Sequence, residues 1–224
     1  MHTSPTILQP QQGQPATDIK NIIFDLCGPI LTIDIHRIDR NFQTLGVKSC
    51  EAYMDLHRAG ITKLYDSGLI SSQEFCQRVR TQLDCQIPDH KILEFWNDVI
   101  VSCPIERLTL IHKAHRHYRT FLLSNCDVEN ARTFPEHMDR VAGYPMTTQD
   151  FDQLYFSSWI KNRKPNPEVF QLILNQQNIL PHQTLFIDDC RKHCESALNL
   201  GLQVHWLQQE EDILQLFDQD GRLL

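Results

Sequence analysis

Glycine is scarce in this chain. Only 8 of the 224 residues are Gly, and none falls into a G-x-G-x-x-G or P-loop pattern. A glycine-rich cradle for nucleotide phosphates is therefore not expected. Long apolar runs are missing as well: no stretch approaches the ~18 residues of a membrane span, and the N-terminus has no apolar core of a secretory signal. No run of Lys or Arg occurs, and the formal net charge is −7. A nucleic-acid binder, whose affinity rests on a basic face, is not expected. The one basic cluster, His112 to Arg119, reads as a solvated helix end. The eight cysteines form no C-x-x-C pair. They read as reduced thiols of a cytoplasmic protein. Cys190, His193 and Cys194 share helical spacing, but two further ligands for a structural zinc site are not apparent.

What remains is a soluble composition, 41% hydrophobic and 22% charged, long enough for a core domain with an insertion. Residues 1–18 are rich in Gln, Pro and Thr and are expected to form a mobile polar tail. Ile22-Ile23-Phe24 is a continuous apolar run that stops at Asp25, and Gly28-Pro29 marks a turn directly after it. Such a run fits a strand buried on both faces of a parallel sheet. Asp25 then lies at the carboxyl edge of the sheet, where open α/β folds bind ligands. Taken alone, it could equally cap the following turn.

Residues 35–103 carry helical spacing throughout. Ser71-x-x-Glu74 is a capping box, opening a helix with Phe75, Val79 and Leu83 on one face. After Pro88, the residues Ile92, Phe95, Trp96 and Ile100 are spaced as the stripe of another helix. Phe42, Leu45, Tyr53, Leu56, Ile61 and Leu64 imply further short helices. Residues 19–34 and 104–224 are the α/β part. Strands are expected at Phe121–Leu123, Leu154–Phe156, Leu185–Ile187 and about residues 202–206. Helices are expected from Ile105, from Asn166-Pro167, from about Arg191 to Leu200, and around Ile213–Phe217. Alternation of this kind implies right-handed crossovers and a parallel sheet, with residues 35–103 as an all-helical insertion.

Four strand ends or following loops then carry Asp25, Ser124-Asn125, Lys164 and Asp188-Asp189. Grouped carboxylates suit a hard divalent cation such as Mg²⁺. An ammonium and a hydroxyl beside it suit a phosphoryl group. A carboxylate there can attack phosphorus and form an aspartyl phosphate.

This ordered set resembles the haloacid dehalogenase superfamily of hydrolases over about residues 20–208. The resemblance implies a Rossmann-like parallel-sheet α/β core with an inserted α-helical cap of the C1 type. Phe24-Asp25-Leu26-Cys27-Gly28 matches the first motif, Ser124 the second, Lys164-Pro165 the third and Asp188-Asp189 the acidic pair. It implies Asp25, Ser124 and Lys164 as catalytic residues, with Asn125 and Gly28 toward the substrate. It implies Mg²⁺ held by Asp25, Asp188, Asp189 and the Cys27 carbonyl, Asp189 more directly than Asp188. Within the superfamily, Gly68-Leu69-Ile70-Ser71, Arg163-Lys164-Pro165 and Ile187-Asp188-Asp189 are similar to bacterial α-glucose-1-phosphate phosphatase-like proteins. The implied activity is hydrolysis of a small phosphorylated metabolite, by a monomer or homodimer.

Two positions depart from the family pattern. Cys27 stands where phosphatases of the superfamily usually have a second Asp as general acid. Lys161 stands where the subgroup often has Gly. Cys27 leaves room for a rival reading, a weak or inactive member that binds a phosphorylated ligand or a protein. A metal-free dehalogenase is disfavoured by the acidic pair. Cys27, Cys126 and Cys190 each lie within two residues of a motif residue, so their thiols ring the site or simply pack.

Overall fold

The computed structural model describes residues 18–224 and, nearer the N-terminus, the short strand Ile7–Leu8. The expected polar tail otherwise lies outside the described residues. The strands are β1 (Ile7–Leu8), β2 (Asn21–Phe24), β3 (Thr32–Ile33), β4 (Ile100–Ser102), β5 (Arg119–Ser124), β6 (Gln153–Phe156), β7 (Thr184–Asp188) and β8 (Gln203–Trp206). Helices α1 (His36–Thr44), α2 (Ala52–Arg58), α3 (Ile61–Asp66), α4 (Ser72–Leu83) and α5 (Asp89–Asn97) lie between β3 and β4. The later helices are α6 (Ile105–Ala114), α7 (Val128–Ala142), α8 (Met146–Gln149), α9 (Ser157–Ile160), α10 (Pro167–Gln177) and α11 (Arg191–Asn199).

The main sheet has the order β1-β8-β7-β2-β5-β6. All neighbours are parallel except β1, which runs antiparallel along β8. The apolar run of β2 explains its central place, because each face needs its own cover. Ile22 and Phe24 join a core with Leu122, Ile187 and residues of α6 and α7, such as Ile111 and Phe134. Ile23 joins the opposite core with Phe121, Phe186 and residues of α10 and α11, such as Phe170 and Ala197. This is the α/β architecture expected, with the helical insertion as a cap.

Helices α1–α5 pack on a core of their own, in which Phe42, Tyr65, Phe75 and Trp96 are buried. Tyr65 stacks on Phe75 at 4.0 Å, and Phe75 meets Trp96 edge-on at 4.9 Å. The Ser71 side chain accepts from Glu74 N at 3.1 Å, as the capping box implies. The Glu74 carboxylate turns to Arg78 rather than back to the cap. Ile100 departs from the expected helical stripe. It belongs to β4, which pairs antiparallel with β3 and closes the cap at its base.

Two helical segments and one residue also differ from expectation. Helix α7 occupies residues to which the sequence pattern assigns no element, although Asp127 caps it and Ala131, Phe134 and Met138 are buried at helical spacing. Pro135 inside it hid the signal, since proline removes a helix donor. The expected terminal helix is a single 3₁₀ turn, Ile213–Leu216, with Leu214 exposed. Leu45 is exposed just after α1. Among the described residues, no helix is long and apolar enough to cross a membrane.

Candidate active site

Register brings the site together. Phe24 pairs with Ile187 on one side and Leu122 on the other. The next residues, Asp25 and Asp188, therefore end adjacent parallel strands, and Ser124 lies one residue further along β5. Asp25 N donates to Ile187 O at 2.9 Å, fixing the level of the carboxylate. Asp25, Ser124, Lys164 and Asp188 are all buried.

Lys164 enters from the loop before α10. Its Nζ stands 2.7 Å from Asp25 Oδ1 and 2.7 Å from Asp188 Oδ2. Asn125 clamps that loop: its amide donates to Lys164 O and accepts from Lys164 N, both at 2.9 Å. Asn125 thus holds the Lys164 main chain in place. Asp25 Oδ1 also accepts from Leu26 N at 2.7 Å. Asp188 Oδ1 accepts from Cys190 N at 2.7 Å, and His193 Nδ1 lies 3.0–3.1 Å from both Asp188 oxygens. Asp189 is exposed beside them.

The electrostatics follow from this crowding. Burial, then the Asp188 charge, pushes Asp25 up to about 7, against the pull of Lys164. Asp188 is also buried, yet Lys164 and His193 hold it below the usual carboxylate range. Asp189 reaches solvent, but desolvation where it packs at the sheet edge, then the Asp188 charge, raises it. Burial disfavours the Lys164 charge, but Asp188 and Asp25 outweigh it and hold the ammonium up. Burial, then Asp25, drives the Cys27 thiol far up, so it keeps its proton. Cys126 is raised by burial with Asp127 and Cys27 beside it, and Ser124 is its hydrogen-bond neighbour. A hydrogen bond from His193 lowers Cys190.

One oxygen each from Asp25, Asp188 and Asp189 lies within 4.8 Å of the others. An all-oxygen, anionic set of this size fits a hard dication. Gly28 borders it with φ +100°, and a β-carbon there would collide with the Asp189 carboxylate. Arg107 braces the turn, donating to Gly28 O at 3.1 Å and to Asp212 at 2.8 Å. A cavity of about 540 Å³ opens beside Asp189, lined by Gly28, Thr32, Arg107, Trp206 and Gln208 among others.

Cap and core meet over this edge through contacts that local sequence patterns do not announce. Trp96 Nε1 donates to Asp127 Oδ2 at 3.2 Å. Ser157 Oγ donates to Asp66 O at 2.5 Å and accepts from Cys126 N at 2.9 Å. Arg163 Nη1 lies 3.6 Å from Asp66 Oδ2, while its Nε and Nη1 are buried without a hydrogen-bond acceptor. Lys161 adopts φ +55°, a value that favours glycine. Its ammonium donates to Gly68 O of the cap at 2.6 Å, a contact glycine could not make. The signal available for Arg163 was its position next to Lys164. Asp66 had none, because its partner lies far away in sequence.

A haloacid dehalogenase-like hydrolase family model matches residues 115–207. The crystal structure of a haloacid dehalogenase family enzyme from Bacteroides thetaiotaomicron, in complex with magnesium and inorganic phosphate, is 30% identical. It superposes with a TM-score of 0.79, covering 89% of this chain and 100% of that one. The chain belongs to the haloacid dehalogenase-like hydrolases. Among curated relatives, a D-ribitol-5-phosphate phosphatase of B. thetaiotaomicron is 28% identical over 189 residues, 83% of this chain and 90% of that protein. A phosphorylated carbohydrates phosphatase of Thermotoga maritima is 32% identical over 53 residues, 24% of each chain. The structure of a predicted haloacid dehalogenase-like family hydrolase from Porphyromonas gingivalis shares the fold, with a TM-score of 0.77 at 24% identity, covering 87% of this chain and 94% of that one. In this hydrolase, as in the family pattern, β2, β5, the loop before α10 and β7 deliver the four motif stretches to one edge.

Proposed function

We propose that this protein is a Mg²⁺-dependent phosphatase of small phosphorylated carbohydrates or polyols, acting through an aspartyl phosphate on Asp25. The observation that carries the reading is the buried Asp25 carboxylate, bound at 2.7 Å to Lys164 and flanked by Asp188 and Asp189. Leu26 N and Lys164 anchor Oδ1, leaving Oδ2 to attack phosphorus. The new O–P bond forms as the ester P–O bond breaks, and the leaving oxygen takes a proton from solvent. Water then attacks the phosphorus of the aspartyl phosphate, and phosphate leaves with the Asp25 carboxylate restored. Lys164 and the Ser124 hydroxyl hold the phosphoryl oxygens. Asn125 keeps Lys164 in position. Magnesium, held by Asp25, Asp189 and the Cys27 carbonyl with Asp188 further out, would neutralise the charge on the phosphoryl group. The cap excludes water, and Arg163 and Asp66 at its contact with the core meet the substrate's hydroxyls.

The names of the relatives support a carbohydrate or polyol phosphate. The chemistry of the leaving group narrows the choice. Cys27 is a poor acid because its thiol holds its proton tightly. A general acid typically contributes ~10²–10⁴-fold. An anomeric oxygen, made less basic by the ring oxygen, departs without that help more readily than a simple alcohol. Sugar 1-phosphates are thus the favoured subclass. Cys27 is also the observation behind a second reading, a ligand-binding member with little turnover. A panel of phosphorylated sugars and polyols, assayed with Mg²⁺ and with excess chelator, tests both. Mg²⁺-dependent phosphate release supports the phosphatase; tight binding without release supports the second reading.

A further inference from the structure

Behind the carboxylate set lies a second group of ligands with different chemistry. Cys190 precedes α11 and His193 lies in its first turn. One ligand atom each from Asp188, Cys190 and His193 lies within 4.8 Å of the other two. His193 Nδ1 is 3.0 Å from Asp188 Oδ2, and Cys190 N anchors Asp188 Oδ1 at 2.7 Å. Cys190 and His193 are half-buried, and Asp188 is fully buried. Cys194 is not part of the group: its buried sulfur donates to the Asp188 carbonyl.

We propose that Cys190, His193 and Asp188 form an inhibitory site for a soft or borderline divalent cation, with zinc as the type case. Thiolate and imidazole select Zn²⁺ or Cd²⁺ over Mg²⁺, which prefers oxygen. Three protein ligands leave one tetrahedral position for water. Bond lengths of about 2.0–2.3 Å require the three atoms to draw together by only about 1 Å. On binding, the Cys190 thiol proton and the His193 Nδ1 proton that Asp188 accepts both pass to solvent, and the metal takes that proton's place between His193 and Asp188.

Inhibition follows from the shared ligand and rests on the phosphatase reading; binding does not. Asp188 also serves Lys164 and the oxygen set. A cation on Asp188 draws its charge away from Lys164 and repels a second dication at Asp25 and Asp189. Unlike ordinary competition at the oxygen site, this effect depends on Cys190.

The test uses the full chain in saturating Mg²⁺, titrated with Co²⁺ as spectroscopic probe and with Zn²⁺ by calorimetry. The expected result is one equivalent bound with a thiolate-to-Co²⁺ charge-transfer band. Cys190→Ala, Cys190→Ser and His193→Gln should each weaken binding about tenfold or more, and Cys194→Ala should not. Asp189→Asn should keep the band, because Asp189 belongs to the oxygen set only. Zn²⁺ should inhibit phosphate release in the wild type and much less in Cys190→Ala. Equal Zn²⁺ affinity in the wild type and both Cys190 variants would overturn the site. So would loss of the band in Asp189→Asn. A protein without phosphatase activity but with the Cys190-dependent band would retain the site and refute only the phosphatase reading.

Discussion

Lys164 Nζ lies 2.7 Å from Asp188 Oδ2, and both side chains are essentially inaccessible to water. A buried pair of this kind is stabilising only while complete. Removing one partner leaves a charge uncompensated, at a cost of roughly 3–5 kcal/mol. Lys164→Met strands two carboxylates, Asp188 and Asp25. It should lower unfolding free energy by about that amount in chelator and remove phosphate release. Mg²⁺ should restore part of the stability and none of the turnover. Denaturant titration with and without Mg²⁺ checks this; a loss below about 1 kcal/mol would mean that solvent reaches the pair.

Gly28 leaves room for the Asp189 carboxylate by having no side chain. Gly28→Ala places a β-carbon against the Asp189 carboxylate and forces alanine to φ +100°. The Mg²⁺ concentration for half-maximal activity should rise about tenfold or more, with partial recovery at high Mg²⁺. An unchanged Mg²⁺ dependence would mean that Asp189 is not a ligand.

Asp66 gives a pH signature. Burial, opposed by Arg163, pushes its carboxyl from 3.8 up to about 7. The folded state therefore holds this proton more tightly than the unfolded chain. The stability Asp66 contributes is full below pH 3.8 and is lost as pH rises toward 7. Asp66→Asn stays neutral. Its melting temperature relative to wild type should rise between pH 5 and pH 8. A difference that stays flat or falls over that range would contradict the shift.

In the proposed mechanism, Cys27 sets the leaving-group preference. Cys27→Asp should raise kcat/KM most for poor leaving groups, such as glycerol phosphate or a sugar 6-phosphate, and least for aryl phosphates. Paired substrates in both proteins measure it, since kcat/KM reports transition-state stabilisation. A uniform effect, or equal wild-type rates on glucose 1-phosphate and glucose 6-phosphate, would count against the argument.

The sequence made the sheet edge legible because its signals are local. Ile22-Ile23-Phe24-Asp25 and Leu185-Phe186-Ile187-Asp188 are short apolar runs ending in acids, and parallel pairing aligns their ends. The capping box at Ser71 was equally local. What stayed hidden depends on contacts far apart in the chain. Asp66 meets Arg163 across 97 positions, from 66 to 163, and Trp96 reaches Asp127 from the cap. Ile100 had the spacing of a helix yet joined a strand, because Thr32–Ile33 offered a partner that no local pattern announces. Asn125 was placed at the right edge, but its engagement with the Lys164 main chain is a property of the folded loop.

The central claim is that Asp25 becomes phosphorylated. The direct measurement is acid quench during turnover in Mg²⁺, followed by mass spectrometry of the peptide containing Asp25. The mass of one phosphoryl group is expected on Asp25 in the wild type. None is expected in Asp25→Asn, with circular dichroism unchanged and phosphate release abolished. Near-normal release by Asp25→Asn, or an adduct on another residue, would contradict it.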